Sequence, residues 1–160
     1  MPTKAEKMLN RLKQVFASFD SHDVQYVVIG GIAAVLHGVP RTTFDMDILI
    51  EATHENARRL LQALREAGLG TAELTSPEEI VANAITIFQD RVRIDVQTQT
   101  PGIEFEDAWV RRETMVYDGQ PFFILSKKDL IASKSAAGRQ VDMEDVRVLQ
   151  LEEKEDEAPG

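Results

Sequence analysis

The chain has 160 residues, of which 43% are hydrophobic and 28% are charged, a composition typical of one soluble globular domain. It contains no cysteine, which excludes disulfides, thiolate metal sites and a cysteine nucleophile. The formal net charge of -9 argues against sequence-independent binding of duplex DNA, which depends on Lys and Arg facing the phosphates.

Apolar content and charge predict where the protein is located and which part of the chain is disordered. No apolar stretch is long enough for a membrane-spanning helix, and the first residues lack the apolar core of a signal peptide. We therefore expect a cytoplasmic protein with no membrane partner. The last ten residues, LEEKEDEAPG, contain five acidic residues and one lysine. Such a charge-dense end predicts an acidic, disordered tail over residues 151–160, after a single domain over residues 1–150.

The first half of the chain alternates between helical and strand patterns. Apolar residues at helical spacing, preceded by a capping box of Thr3 and Glu6, predict that the chain begins with a helix. The elements predicted in chain order are a helix at 4–20, a strand at 25–29, a helix at 31–36, a strand at 45–50 and a helix at 53–67.

The second half is richer in strands. Ser76 and Pro77 indicate a helix start, and two alternating runs joined by a short polar connection indicate a hairpin. The elements predicted here are strands at 84–88 and 92–97, a helix at 105–110, strands at 114–117 and 121–125, and helices at 127–136 and 142–149. The whole pattern predicts a mixed α/β domain with helices at both ends.

Two aspartates, Asp45 and Asp47, interrupt the apolar run of the second predicted strand. Alternate residues of a strand share a face about 6.6 Å apart, so both carboxylates would point the same way. The opposite face would carry Phe44, Met46, Ile48 and Ile50. Carboxylates this close repel each other unless a cation lies between them, and hard oxygen ligands suit Mg²⁺ or Mn²⁺. Asp95, which alternates with apolar residues in the run at 92–97, is the candidate third ligand.

A glycine pair, Gly30-Gly31, stands where the first strand ends and a helix begins. Free backbone N–H groups and the helix dipole favour phosphate at such a junction, and missing side chains allow its close approach. The pair could instead form only a tight turn. No Gly-Lys-Ser/Thr follows, and the Gly-x-Gly-x-x-Gly spacing of a dinucleotide fold is absent.

These motifs together resemble the active-site signature of the polymerase-β-like nucleotidyltransferases. The residues on which this resemblance rests are the glycine pair, the Asp45-Met46-Asp47 motif after a short gap, and Asp95 on a later strand. Arg41-Thr42-Thr43 ahead of the aspartates is similar to the small bacterial members, some of which are toxins of toxin–antitoxin pairs. The segment from Lys134 through Arg139 to Asp145 resembles their C-terminal helical motif, in which a lysine can reach the triphosphate.

The resemblance implies a nucleotidyltransferase-like fold, with a mixed β-sheet flanked by helices and a C-terminal helical segment. It also implies Mg²⁺-dependent transfer of a nucleoside monophosphate from an NTP to an acceptor hydroxyl on RNA, a protein or a small molecule, with an antitoxin as a further possible partner. The implied catalytic and metal-binding residues are Asp45, Asp47 and Asp95. The implied nucleotide-binding residues are Gly30, Gly31, Arg41, Thr42, Thr43, Lys134 and Arg139.

Plainer interpretations remain open for each motif. The aspartate pair could be a solvated strand face, and Arg41, Lys134 and Arg139 could be ordinary surface residues. The domain could also bind a nucleotide or a partner protein without turnover, or be an interaction domain that binds no metal. The NTP, the acceptor, the oligomeric state and the pathway stay open at this point.

Overall fold

The computed structural model describes the backbone of residues 3–157, and the side chains at these positions except 4, 5 and 152–157. The helices are α1 (Lys4–Ser21), α2 (Gly30–Leu36), α3 (His54–Glu66), α4 (Pro77–Ala82), α5 (Phe105–Val110), α6 (Lys127–Ala137) and α7 (Gln140–Glu157). The strands are β1 (Tyr26–Ile29), β2 (Met46–Ile50), β3 (Ile85–Gln89), β4 (Arg93–Gln97), β5 (Glu113–Tyr117) and β6 (Gln120–Ile124).

The predicted helices and strands are confirmed, with their ends displaced by a residue or two, except that the last helix, predicted over 142–149, spans Gln140–Glu157. One element was not predicted, a short 3-10 helix at Gly70–Leu74. Its five residues are too few to show a helical periodicity. It is held partly by a tertiary contact, because the Thr71 N–H donates to the Asp90 carboxylate at 3.1 Å.

Helix ends follow local capping chemistry. The predicted capping box is present: the Glu6 N–H donates to the Thr3 hydroxyl at 3.1 Å, and the Thr3 N–H donates to the Glu6 carboxylate at 2.8 Å. Ser76 caps α4 through one bond, which the Glu79 N–H donates to the Ser76 hydroxyl at 3.2 Å. Gly138 ends α6 with a φ of 68°, in the left-handed region that glycine adopts without strain.

The six strands form one mixed sheet in the order β3-β4-β2-β1-β6-β5. β2 runs parallel to β4 and antiparallel to β1, while β1 runs parallel to β6. Antiparallel pairs, β3 with β4 and β5 with β6, form the two edges. The end of β1 therefore lies beside the start of β2, which brings the glycine pair to the aspartate motif.

One face of this sheet packs against α1. The rings of Phe16 and Phe19 lie 6.2 and 4.8 Å from that of Tyr26 on β1. Met46 and Ile94, which are register partners on β2 and β4, are fully buried. Because side chains alternate along a strand, Asp47 and Asp95 point to the opposite face.

The ends of two elements need comment. Phe44 was predicted on the same face as Met46, and its side chain is 87% exposed. The physical reason is that β2 begins at Met46, so the strand alternation does not extend back to Phe44. α7 continues to Glu157, into the segment for which we expected disorder, and residues 158–160 lie outside the described part of the chain.

No helix within residues 3–157 combines the length and the apolar character that crossing a bilayer would require.

Candidate functional site

Three carboxylates converge on the sheet face opposite α1. Asp47 on β2 is the register partner of Asp95 on β4, and Asp45 immediately precedes β2. Each offers one oxygen, and the three oxygens lie within 4.8 Å of one another. An all-carboxylate set of this size matches the hard oxygen donors that Mg²⁺ and Mn²⁺ prefer. The residues therefore fit the metal that the sequence analysis implied.

The electrostatics of this cluster favour a bound cation. The pKa of Asp47 is raised from 3.8 to about 7, chiefly by burial and then by the neighbouring charges of Asp45 and Asp95. Asp47 therefore resists ionisation at neutral pH unless a positive charge approaches. A divalent ion among the carboxylates would supply that charge.

Arg93 contacts two members of the cluster and was missed by the sequence analysis. Its Nε and a terminal guanidinium nitrogen donate to Asp95 at 2.9 and 3.1 Å, and its Nε lies 3.9 Å from Asp45. The guanidinium thus supplies positive charge where a divalent ion would bind. A signal for this contact existed, because Arg93 stands two residues before Asp95 on the same face of β4.

The glycine pair allows other groups to approach the end of β1. Gly30 has a φ of +72°, and a Cβ there would lie against the Asp47 carboxylate, 3.0 Å from its Cβ. A Cβ on Gly31 would lie 3.0 Å from the Arg41 guanidinium and 3.3 Å from the Thr43 hydroxyl. Gly30 therefore requires glycine for its backbone conformation and for the Asp47 side chain, whereas a Cβ on Gly31 would displace the Arg41 guanidinium.

A buried ion-pair network lies next to the glycine pair. Arg41 donates to Asp145 at 3.0 and 2.8 Å, and the Lys134 ammonium lies 2.8 Å from Asp145 and 3.5 Å from Asp142. Arg139 donates to Asp142 at 2.7 Å. Both aspartates are only 1% exposed. Burial opposes their ionisation, but the hydrogen bonds from the arginines and the charge of Lys134 outweigh it, so the pKa of each lies below its usual value.

The three cationic side chains that were expected to bind the nucleotide thus lie together in this network, but they differ in solvent exposure. The side chain of Arg139 is 73% exposed, that of Arg41 is 30% exposed, and that of Lys134 is 5% exposed. This ion-pair network lies close enough to the carboxylate cluster for the charge of Lys134 to lower the pKa of Asp47. Of the two threonines, Thr42 is exposed, and the Thr43 hydroxyl donates to the Asp45 carbonyl at 3.4 Å.

Comparisons with known proteins agree with this geometry. Residues 6–156 match the model of a family described as "Nucleotidyltransferase of unknown function (DUF6036)". The fold resembles that of an antigenic nucleotidyltransferase-like protein from Paracoccidioides brasiliensis, with a TM-score of 0.54, 18% sequence identity, and coverage of 91% of this chain and 75% of the other. At this identity the likeness concerns the fold alone. A search of the curated proteins finds no match.

Proposed function

Because the chain belongs to this family of nucleotidyltransferases of unknown function, we propose that it transfers a nucleoside monophosphate from an NTP to a hydroxyl group. Asp45, Asp47 and Asp95 would hold Mg²⁺ or Mn²⁺. The observation that carries the proposal is the convergence of these three carboxylates within 4.8 Å on one face of the sheet. When bound, the metal would neutralise negative charge on the phosphates and on the leaving pyrophosphate.

The reaction consists of one displacement at phosphorus. The oxygen of the acceptor hydroxyl forms a bond to the α-phosphorus, and the bond from that phosphorus to the oxygen bridging to the β-phosphate breaks. Pyrophosphate leaves with the electron pair of that bond. The hydroxyl proton passes to the carboxylate of Asp95, which lies at the side of the cluster away from the glycine pair, and from there to water.

The sheet order suggests where each substrate binds. Asp47 lies between Gly30 at the end of β1 on one side and Asp95 on β4 on the other. The triphosphate would bind on the Gly30 side, where Arg41 and Arg139 carry positive charge and Gly31 presents no side chain. The acceptor hydroxyl would then approach from the Asp95 side.

Labelled NTPs test whether transfer occurs and which bond of the triphosphate is cleaved. With Mg²⁺ present, label at the α-phosphate should appear on the acceptor, whereas label at the γ-phosphate should be released in pyrophosphate. Asp45→Asn should abolish both signals while keeping the fold. Asp23→Asn is the matched control, because this carboxylate lies outside the cluster and should leave both signals unchanged. Transfer of the γ-label, or unchanged transfer by Asp45→Asn, would reject the proposal.

A second candidate function is nucleotide or partner binding without turnover, as one half of a toxin–antitoxin pair. The ion pairs of Arg93 with Asp95 and of Lys134 with Asp145 favour it, because both cations are already engaged. Calorimetry that detects NTP binding, with no pyrophosphate released in the presence of RNA, protein or small-molecule acceptors, would support this alternative. An interaction domain that binds no metal would show no change of melting temperature with NTP and Mg²⁺.

A further inference from the structure

An exposed aromatic side chain stands directly beside the carboxylate cluster. Phe44 precedes Asp45 and is 87% exposed, which no role in the fold explains. Two adjoining cavities share it, each of about 250–260 Å³, near the lower end of the range for small-ligand pockets. Both are also lined by Met8 and Arg11 of α1. We call this region the Phe44 cleft.

The Phe44 cleft is basic in a chain that is acidic. Its lining contains four cationic side chains and one acidic side chain, whereas the whole chain has 18 basic and 27 acidic residues. The cationic residues are Lys7, Arg11, Arg91 and Arg93. Arg91 is engaged with the Ala67 carbonyl and Arg93 with Asp95. Lys7 and Arg11 have no side-chain hydrogen bond or ion pair to any residue whose side chain the structure describes.

The Phe44 cleft adjoins the carboxylate cluster at Arg93, on the Asp95 side. It is lined by residues 89–93, which form the β3–β4 turn and the start of β4. Arg93 belongs both to this lining and to the carboxylate cluster. The glycine pair lies across Asp47 from β4, at the end of β1. Met8 and Met46 place the cleft on the α1 face, and Thr42 and Thr43 line its other part. Its Arg93 end reaches the side from which the acceptor would approach Asp95.

From this combination we propose that the Phe44 cleft binds the end of a single-stranded RNA that carries the acceptor hydroxyl. One terminal base would stack on the Phe44 ring, and adjacent phosphates would contact Lys7 and Arg11. An exposed aromatic ring beside unpaired cations is the arrangement by which proteins bind single-stranded nucleic acid without reading its sequence. The acidic remainder of the chain limits the contact to a few nucleotides. This proposal rests on the proposed function and specifies its acceptor.

Fluorescence anisotropy with a short, labelled single-stranded RNA and the full chain tests the cleft. Phe44→Ala should weaken binding by about 5- to 100-fold, the usual effect of removing one base–aromatic stack, and Phe44→Tyr should restore it. Leu74→Ala, which changes another exposed apolar residue, should have no effect. Arg11→Ala should reduce the slope of log affinity against log salt by about 1, whereas Arg58→Ala on α3 should leave it unchanged.

A thermal-shift assay with Mg²⁺ and NTP on the same variants separates the two proposals. Phe44→Ala should keep the wild-type shift, because the cleft holds the acceptor and not the NTP. Loss of the shift in Phe44→Ala would overturn the acceptor assignment in favour of stacking on the NTP base. Equal RNA binding by wild type and Phe44→Ala, no RNA binding by the wild type, or label transfer to protein but not to RNA would also overturn it. No shift in the wild type would instead reject the proposed function.

Discussion

Asp47 on β2 and Asp95 on β4 are register partners on adjacent parallel strands, so their carboxylates lie one strand spacing apart on the same face. Burial and this proximity raise the pKa of Asp47 to about 7. A pair of carboxylates in this position destabilises the fold unless a cation binds them. A divalent ion at the proposed site would offset this repulsion.

Asp47→Asn is predicted to stabilise the protein in the absence of metal. The folded protein binds the Asp47 proton more tightly than the unfolded chain does, with a pKa of about 7 against 3.8. The free energy of unfolding should therefore fall as pH rises from about 4 to about 7. The variant should not show the decrease that comes from Asp47. At pH 8 with EDTA, chemical denaturation should show the variant more stable by roughly 1–4 kcal/mol. Equal stability of both proteins at pH 8 would contradict the prediction.

Arg93→Gln is predicted to increase affinity for Mn²⁺. The guanidinium must release Asp95 when a divalent ion binds there, and its ion pair is partly exposed, so the competition is modest. Removal of its charge should tighten Mn²⁺ binding about fivefold, as measured by calorimetry. Arg58→Gln, whose side chain pairs with Glu55 on α3, is the control. Weaker Mn²⁺ binding by Arg93→Gln would mean that Arg93 supports the site instead of competing for it.

Gly30→Ala is predicted to damage both the fold and the metal site. The new Cβ would meet the Asp47 side chain and would also require a φ of +72°, at a cost of about 1–3 kcal/mol for the backbone alone. Gly119→Ala is a matched control, because its φ is +80° and no atom lies within 4 Å of the new Cβ. Both variants should lose stability, but only Gly30→Ala should also lose Mn²⁺ binding. Normal Mn²⁺ affinity in Gly30→Ala would show that Asp47 tolerates displacement.

Asp145→Ala is predicted to be strongly destabilising. It would leave Lys134 buried with only the longer contact to Asp142, and removal of one partner of a buried ion pair costs about 3–5 kcal/mol. The carboxylate pKa lies below its usual value, so this contribution is present above about pH 4 and is lost as pH falls through the folded pKa. Denaturation at pH 7 should therefore separate the variant from the wild type, and the difference should shrink in acid. A constant difference across this range would contradict the ion-pair explanation.

The sequence predicted the elements well because they rest on local signals. The capping box of Thr3 and Glu6, the glycine that ends α6, and the strand alternation around Asp47 and Asp95 all act within a few residues. The same alternation placed both carboxylates on one face before any tertiary information was available. The alternation does not account for the exposure of Phe44, because the chain pairs as a strand only from Met46 onward.

Contacts between distant parts of the chain could not be predicted in this way. Arg41 and Asp145 are 104 residues apart, and their pairing depends on how α7 packs beside the loop that precedes β2. No sequence pattern indicated that Lys134 would be buried against two carboxylates instead of facing solvent. The order of the strands was equally inaccessible, although it decides which side of Asp47 faces the glycine pair and which faces Asp95.

The central claim is that the three carboxylates hold a divalent ion, and Mn²⁺ titration followed by electron paramagnetic resonance tests it most directly. Wild type and Asp23→Asn should bind Mn²⁺ with equal affinity, whereas Asp45→Asn and Asp47→Asn should bind it at least about tenfold more weakly while remaining folded. Equal Mn²⁺ affinity in all four proteins would show that the ion binds elsewhere, and would remove the basis of the proposed nucleotidyl transfer.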